Sequence, residues 1–343
     1  MILLANIINF GRQNLRMEIC IVDHGAPLPV RDYGGTERVI WGLGKSLSNM
    51  GHNITFLVPK DSICNFANVI FLDKSIDIND QIPENTDFVH LNIFPLQPVQ
   101  KPYLITCHGN VPQKGDLDPN IVFISKNHAE RYNGDSYVYN GLYWEDYPLP
   151  DLKRERIGFH FLGKASWKVK NLRGAIRIVN VHGKRLDVIG GKRWTPRNIK
   201  RGFGDLFNPR IQYHGMLRDK EKFQIINNSK GLIFPVNWNE PFGLAIIESL
   251  YGGCAVFGTP NGSLPELVTS KTGFLGSSID EIADASNNFK YDPRYCHEYA
   301  IENFHSDRMA NDYLQLYKKV LNGEKLNQRP IYLSEKDKIP CVI

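Results

Sequence analysis

Apolar residues along the chain fall into two alternating periods. A run at 19–22 ends in Asp23-His24-Gly25, passes a proline-rich loop and reaches Tyr33-Gly34-Gly35-Thr36. Val39, Leu43, Leu47 and Met50 then recur at helical spacing before Gly51. Short apolar runs bounded by turn residues read as strands, and apolar positions three or four apart read as one face of a helix. This predicts strands over 19–22, 54–58, 69–72, 88–92, 103–106 and 121–125. A second series follows at 158–162, 186–189, 211–214, 231–235 and 254–257, with helices over 172–181 and 244–251. Strands alternating with helices make βαβ units and parallel sheets, so the class is α/β. Residues 307–321 read as a long amphipathic helix, with Met309, Tyr313, Leu316, Tyr317 and Val320 on one face.

The two series are separated by Tyr147-Pro148-Leu149-Pro150-Asp151, which reads as a linker. A chain of 343 residues suits two domains of roughly 150 residues each. The expected division is a Rossmann-like domain over 17–150, a second over 151–306, and a helix and tail over 307–343 that packs back towards the first. Residues 1–16 are expected to be an extension, with Met17 opening the first strand. No apolar run approaches the ~18 residues that span a bilayer. The six cysteines (Cys20, Cys64, Cys107, Cys254, Cys296, Cys341) show no CxxC, which argues against a zinc site or a disulfide framework and fits a cytoplasmic chain. The net charge of +5 is mild, and the basic residues form no stripe of the kind nucleic acid selects. They cluster locally at Lys192, Arg193, Arg197, Lys200 and Arg201. A solvated loop is the first reading of that cluster, and contact with an anionic acceptor or peripheral contact with an acidic membrane face the second.

Gly34-Gly35 stands between a strand and a helix, where glycines let backbone approach a ligand and the helix offers free N–H groups to an anion. An ordinary tight turn would look the same. Glu240 and Glu248 are more telling. The run at 232–235 ends just before Glu240, which puts that carboxylate in a loop at the carboxyl end of a strand, where open α/β sheets bind ligands. Glu248 falls inside the next helix, roughly 7–8 Å from its start at 1.5 Å per residue. Two carboxylates so spaced can accept hydrogen bonds from hydroxyls at separate points of a sugar nucleotide, while the helix N–H groups between them face its diphosphate.

The segment Glu240-Pro241-Phe242-Gly243-Leu244-Ala245-Ile246-Ile247-Glu248 resembles the E-x7-E motif of the retaining GT-B glycosyltransferases, in particular glycosyltransferase family 4. The likeness continues through 249–268 and Gly273-Phe274-Leu275, and reaches back to Tyr33-Gly34-Gly35. The resemblance implies a GT-B fold, two Rossmann-like domains facing each other across a deep cleft. It also implies that Glu240 contacts hydroxyls of the donor sugar, that Glu248 binds the ribose, and that backbone amides of Phe242, Gly243 and Leu244 surround the donor. Its diphosphate cations fall on Lys164, where the family usually has Arg, and on Lys170. Lysine lacks the planar fork of arginine, and Lys168 competes for the first part. His108, after the strand at 103–106, would point at the donor sugar, and Met216 would border the nucleobase, near Gly190 and Gly191.

The expected activity is metal-independent transfer of a sugar, with retention, from a nucleoside-diphosphate sugar, UDP favoured, to a hydroxyl of a glycan or lipid-linked glycan. Polysaccharide, lipopolysaccharide or other glycolipid building is the family-level expectation. No cofactor is expected; Asp116-Leu117-Asp118 matches the metal-holding D-x-D of GT-A enzymes but lies in a Pro/Gly-rich loop and reads as coincidence. Two rivals stand beside this reading: a non-hydrolysing nucleotide-sugar epimerase, with His108 as an acid or base, and a non-catalytic sugar-nucleotide-binding module.

Overall fold

A computed structural model describes residues 16–30, 34–111, 116–193 and 208–332. Residues 1–15, Tyr33, Arg197, Lys200, Arg201 and Cys341, named above, lie outside the described residues.

The first sheet contains β1 (Glu18–Val22), β2 (Asn53–Val58), β3 (Asn68–Phe71), β4 (Phe88–Leu91), β5 (Tyr103–Cys107) and β6 (Ile121–Phe123), in the order β3-β2-β1-β4-β5-β6. The second contains β7 (Phe159–Leu162), β8 (Leu186–Ile189), β9 (Ile211–Gly215), β10 (Gly231–Phe234), β11 (Ala255–Gly258) and β12 (Gly273–Leu275), in the order β12-β11-β10-β7-β8-β9. All pairs are parallel. Counted from its own first strand, the second sheet repeats the order of the first. Both are doubly wound, and their direction switches between β1 and β4 and between β7 and β10. Helices on both faces bury the strands on both sides, so β4, β7, β8, β10 and β11 are buried at every position. The α/β, GT-B expectation holds. β12 is an addition to the predicted strands, because three residues with glycine at one end are too short to show a period.

Among the described residues the α-helices in chain order are α1 (Gly35–Asn49), α2 (Lys126–Arg131), α3 (Leu172–Val181), α4 (Asp219–Asn228), α5 (Leu244–Tyr251), α6 (Leu264–Leu267), α7 (Ile279–Asn288), α8 (Pro293–Phe304) and α9 (Ser306–Leu321). The chain crosses between the sheets twice, and the crossings touch. Leu142 N donates to Phe304 O at 2.9 Å, and Ser306 N to Leu142 O at 3.0 Å. A side chain at Gly141 would meet His305 O at 2.6 Å, so the close approach needs glycine there. Trp144 stacks on Tyr251 at 4.4 Å, and Tyr147 and Phe223 pack edge-on around them, which makes the first crossing part of a core shared by both domains.

Beyond the second crossing, α9 lies against α1 and the first sheet. Tyr317 Oη and Thr106 Oγ1 hold the two ring nitrogens of buried His90 at 2.6 and 2.8 Å, and Thr106 also meets Tyr313 Oη at 2.9 Å. A buried polar chain that is fully partnered fixes one docking geometry for the helix. No described helix is long and apolar enough to cross a membrane.

Candidate functional site

The carboxyl ends of both sheets face each other across a cavity of about 440 Å³. Its walls come from the segments after β1, β5, β6, β7, β8, β9 and β10. Among the residues singled out in the sequence, Gly34, Gly35, His108, Lys170, Met216, Glu240, Phe242, Gly243, Leu244 and Glu248 line it. Lys164 does not. Its side chain is exposed, with the ammonium 5.2 Å from the centre of the Trp167 ring in its own loop. An aromatic face within reach offers this exposed cation a local partner at the rim, since Trp167 itself lines the cavity. Lys168 is exposed as well.

Two helix starts point into the cavity. α1 begins after Gly34 and α5 after Gly243, and neither has a side-chain cap. The first-turn N–H groups are therefore left to solvent or to a ligand, and the dipoles favour an anion. Gly243 adopts φ 95°, the left-handed region, which allows the sharp entry into α5.

Glu240 is 5% exposed, with both carboxylate oxygens in hydrogen bonds. Lys170 Nζ lies 2.8 Å from its Oε1 and 2.6 Å from its Oε2, and Trp238 Nε1 donates to Oε2 at 2.7 Å. The loop carrying it is held from both domains. Asn110 donates to Asn239 O at 2.9 Å and Ser125 to Pro241 O at 2.7 Å from the first domain, while Ser263 N donates to Glu240 O at 3.0 Å from the second. Glu248, 6% exposed, lies one turn into α5, with Lys222 Nζ of α4 2.5 Å from its Oε1. Lys222 also meets Asp219 Oδ1 at 2.8 Å, and Asp219 pairs with Arg38 of α1 across the cleft.

His108 comes from the first domain. Asn92 Nδ2 donates to Val22 O at 3.2 Å, which turns its Oδ1 towards His108 Nε2 at 2.8 Å. That oxygen accepts only, so Nε2 carries the proton and Nδ1 the lone pair. Burial lowers the His108 pKa to about 4, which keeps the ring neutral at pH 7.

Three features of the site have no counterpart in the sequence patterns. Arg38 and Lys222 line the cavity, yet each looks like a surface residue of an amphipathic helix. Asn140, buried beside the first crossing, also lines the cavity, and its buried Oδ1 has no hydrogen-bond partner among the described residues. Trp238, two residues before Glu240, and Trp167 form an edge-on pair at 6.3 Å on the second-domain wall. A tryptophan that close to Glu240 was the one local signal. Asp118 is occupied elsewhere: it accepts from Tyr103 Oη at 2.6 Å and from Asn120 N at 2.7 Å. Among the described residues no group of three or more His, Cys, Asp or Glu is arranged to hold a metal ion.

Comparison with known proteins agrees with this geometry. Residues 156–289 match the family model described as Glycosyl transferases group 1. An uncharacterized 41.2 kDa protein in the cps region of Klebsiella pneumoniae is 26% identical over 179 residues. That stretch is 49% of this chain and 48% of the relative, so the chain spans about half the length of the curated protein it matches. AviGT4, a glycosyltransferase involved in avilamycin A biosynthesis, superposes with a TM-score of 0.74 at 18% identity, covering 90% of this chain and 98% of its own. HepE of Anabaena, in complex with UDP-glucose, superposes with a TM-score of 0.63 at 13% identity, covering 90% of this chain and 100% of its own. The fold is thus that of GT-B glycosyltransferases, and the stretch that matches the group 1 glycosyltransferase model is the one that carries Lys170, Glu240 and Glu248.

Proposed function

We propose that this protein is a retaining glycosyltransferase that moves a sugar from a nucleoside-diphosphate sugar to a hydroxyl acceptor. The observation that carries the reading is the convergence of Glu240, Glu248 and the uncapped start of α5 on one cavity, closed from the other domain by His108 and the start of α1. In this reading Glu248 accepts from the ribose, Glu240 and neutral His108 accept from hydroxyls of the donor sugar, and the two helix starts hold the diphosphate. Met216 and Gly190 border the base.

Each cavity cation already has a carboxylate partner: Lys170 with Glu240, Lys222 with Glu248 and Arg38 with Asp219. A diphosphate entering the cleft exchanges part of that pairing for its own, with Lys170 and the helix dipoles taking up the charge that grows on the leaving phosphate. Lys164, exposed beside Trp167, is not given a role in this scheme. Glu240 has a cation and an indole N–H on its oxygens, which makes it a poor nucleophile and favours direct substitution over a glycosyl-enzyme intermediate. The bond from C1 to the phosphate oxygen breaks, its electron pair leaving with the nucleoside diphosphate. The acceptor oxygen bonds to C1 from the same face, and its proton passes to the departing phosphate oxygen. The cleft positions the two substrates and supplies fixed charge.

The UDP preference draws support from HepE, and an acceptor in polysaccharide building from the relative in the cps region. Metal independence is part of the proposal. The test is a thermal-shift screen of UDP, ADP and GDP with chelator present. A ligand at a hundred times its dissociation constant adds about 2.7 kcal/mol of stability. No shift with any nucleotide at millimolar concentration overturns the reading. Conversion of UDP-glucose into a second nucleotide sugar without acceptor would make the protein an epimerase.

A further inference from the structure

We propose that Lys222 is a positioning residue for nucleotide recognition, which holds Glu248 so that one carboxylate oxygen is kept for the ribose. The inference rests on Glu248 as the ribose acceptor and adds a residue that no sequence motif marks.

The argument starts from burial. Glu248 is 6% exposed, and its helix, with the sequence Leu-Ala-Ile-Ile-Glu-Ser-Leu-Tyr, supplies no cation of its own. A carboxylate so placed needs a counter-charge from a neighbouring element. That neighbour is α4, where Lys222 is itself 6% exposed. Its ammonium meets Glu248 Oε1 at 2.5 Å and Asp219 Oδ1 at 2.8 Å. The rings of Phe223 and Tyr147 lie 5.4 and 5.8 Å from it, so the charge is fixed from several sides. Lys222 takes one oxygen of Glu248, and Oε2 has no hydrogen-bond partner among the described residues. Both side chains line the cavity. The carboxylate therefore keeps a single unshared oxygen on the wall of the cavity that Met216 also lines. Asp219 in turn pairs with Arg38 of the facing domain, so the orientation of the ribose acceptor is tied to α1 across the cleft.

An arrangement of this kind reads hydroxyls. A ligand with the same base and phosphates but no ribose hydroxyls leaves the oriented oxygen unpaired and is rejected. The experiment measures the affinities of UDP, ADP and GDP and of their 2′,3′-dideoxy counterparts by calorimetry. The proteins are wild type, Glu248→Ala, Lys222→Met and Lys222→Gln, each with its melting temperature recorded. For the nucleotide that binds, wild type should prefer the ribose form by about tenfold or more, the loss expected for one hydrogen bond in a buried site. Glu248→Ala and Lys222→Met should both reduce that ratio to within about threefold. Lys222→Gln, which keeps an N–H donor to Glu248, should give an intermediate ratio and stands in for the methionine variant if that one does not fold. A change in stability alone would move both affinities together and leave the ratio untouched. A wild-type ratio in the folded Lys222 variants, with the ratio lost in Glu248→Ala, overturns the role of Lys222 and leaves the ribose site standing. A ratio that survives Glu248→Ala, or no binding of any nucleotide by wild type, overturns the ribose reading and the inference with it.

Discussion

Lys170 and Glu240 join the two strands at which the second sheet changes direction: the lysine follows β7, the glutamate follows β10, and Nζ lies 2.8 and 2.6 Å from the two carboxylate oxygens. The side chains are 11% and 6% exposed. Removing one partner of a buried pair leaves an uncompensated charge and costs about 3–5 kcal/mol. Lys170→Met should therefore melt well below wild type and lose transfer. Glu240→Gln can keep the Trp238 bond on its amide oxygen but turns its NH2 towards Lys170 and leaves that ammonium without its carboxylate, so it should also melt below wild type. The folded variant should bind nucleoside diphosphate within about threefold of wild type and lose turnover at least tenfold, as expected for interactions made in the transition state. Equal losses of nucleotide affinity and turnover in Glu240→Gln would mean that the residue serves the nucleotide, not the sugar.

The backbone under Glu240 is as constrained as its side chain. Gly262 adopts φ +65°, and a Cβ there would lie 2.2 Å from Glu240 N and 2.4 Å from Glu240 O. The left-handed conformation alone costs an L-residue roughly 1–2 kcal/mol, and the contact is far inside van der Waals distance. Gly262→Ala should lower stability in urea unfolding by more than about 2 kcal/mol. It should also reduce turnover, although the residue touches no substrate, because the loop at 239–243 has to move.

The sheets were legible because parallel strands covered on both faces appear as unbroken apolar runs, and Ile19 to Val22 or Leu232 to Phe234 cannot easily be anything else. Glu240 was legible because a carboxylate at a strand end followed by a glycine-started helix is a local pattern. The pair Arg38–Asp219 was not, since it links positions 181 apart and depends on how two domains face each other. Lys222 was hidden for a different reason. Four residues of α4, Asp219 to Lys222, are charged, which looks like a solvated turn, and only the docking of α5 buries one of them. Lys164 fits the spacing of the motif, but spacing does not state side-chain direction, and the exposed ammonium lies by Trp167, three residues on, rather than on the cavity wall.

Acid should unfold the protein earlier than its carboxylates alone would. Burial lowers His90, His128 and His160 to about 3 and His108 to about 4, against about 6.5 in an unfolded chain. Below pH 6.5 the unfolded chain therefore binds protons that the folded one refuses. The stability these rings contribute is complete above that pH and is lost as pH falls towards 4 and then 3. At about 1.4 kcal/mol per pH unit and site, the four together cost several kcal/mol by pH 5. Urea unfolding at pH 7.5 and pH 5 should show that difference, and His128→Leu should reduce it by one histidine's share. A stability that stays flat between the two pH values would mean these rings are not held neutral.

Transfer should proceed without a divalent metal. Asp118, the second acid of the D-x-D sequence, is already bound to Tyr103 and Asn120, and the cavity has Lys170, Lys222 and Arg38 together with two uncapped helix starts. Exhaustive chelation should leave most of the rate. Loss of the rate on chelation, with recovery in manganese or magnesium, would return Asp116 and Asp118 to consideration and place the metal's charge where the helix dipoles have been assigned.

Asn140 separates function from stability most cleanly. The residue is 3% exposed, its Oδ1 has no hydrogen-bond partner among the described residues, and it lines the cavity next to the point where the chain first crosses between domains. A buried carbonyl oxygen without a donor costs about 1–3 kcal/mol, so the empty protein carries a defect at this position. The cost is offset if the side chain turns its Oδ1 into the cleft when the cleft fills and a substrate hydroxyl supplies the missing donor. Asn140→Ala removes the orphan together with a small packed volume, two effects of opposite sign, and should leave the melting temperature of the empty protein within a few degrees of wild type. The same substitution should lower turnover at least tenfold and shrink the extra stabilisation that a nucleotide sugar gives over its nucleoside diphosphate. An unchanged turnover would identify the orphan oxygen as a packing defect only, and an unfolded variant would show that Asn140 supports the crossing and not the substrate.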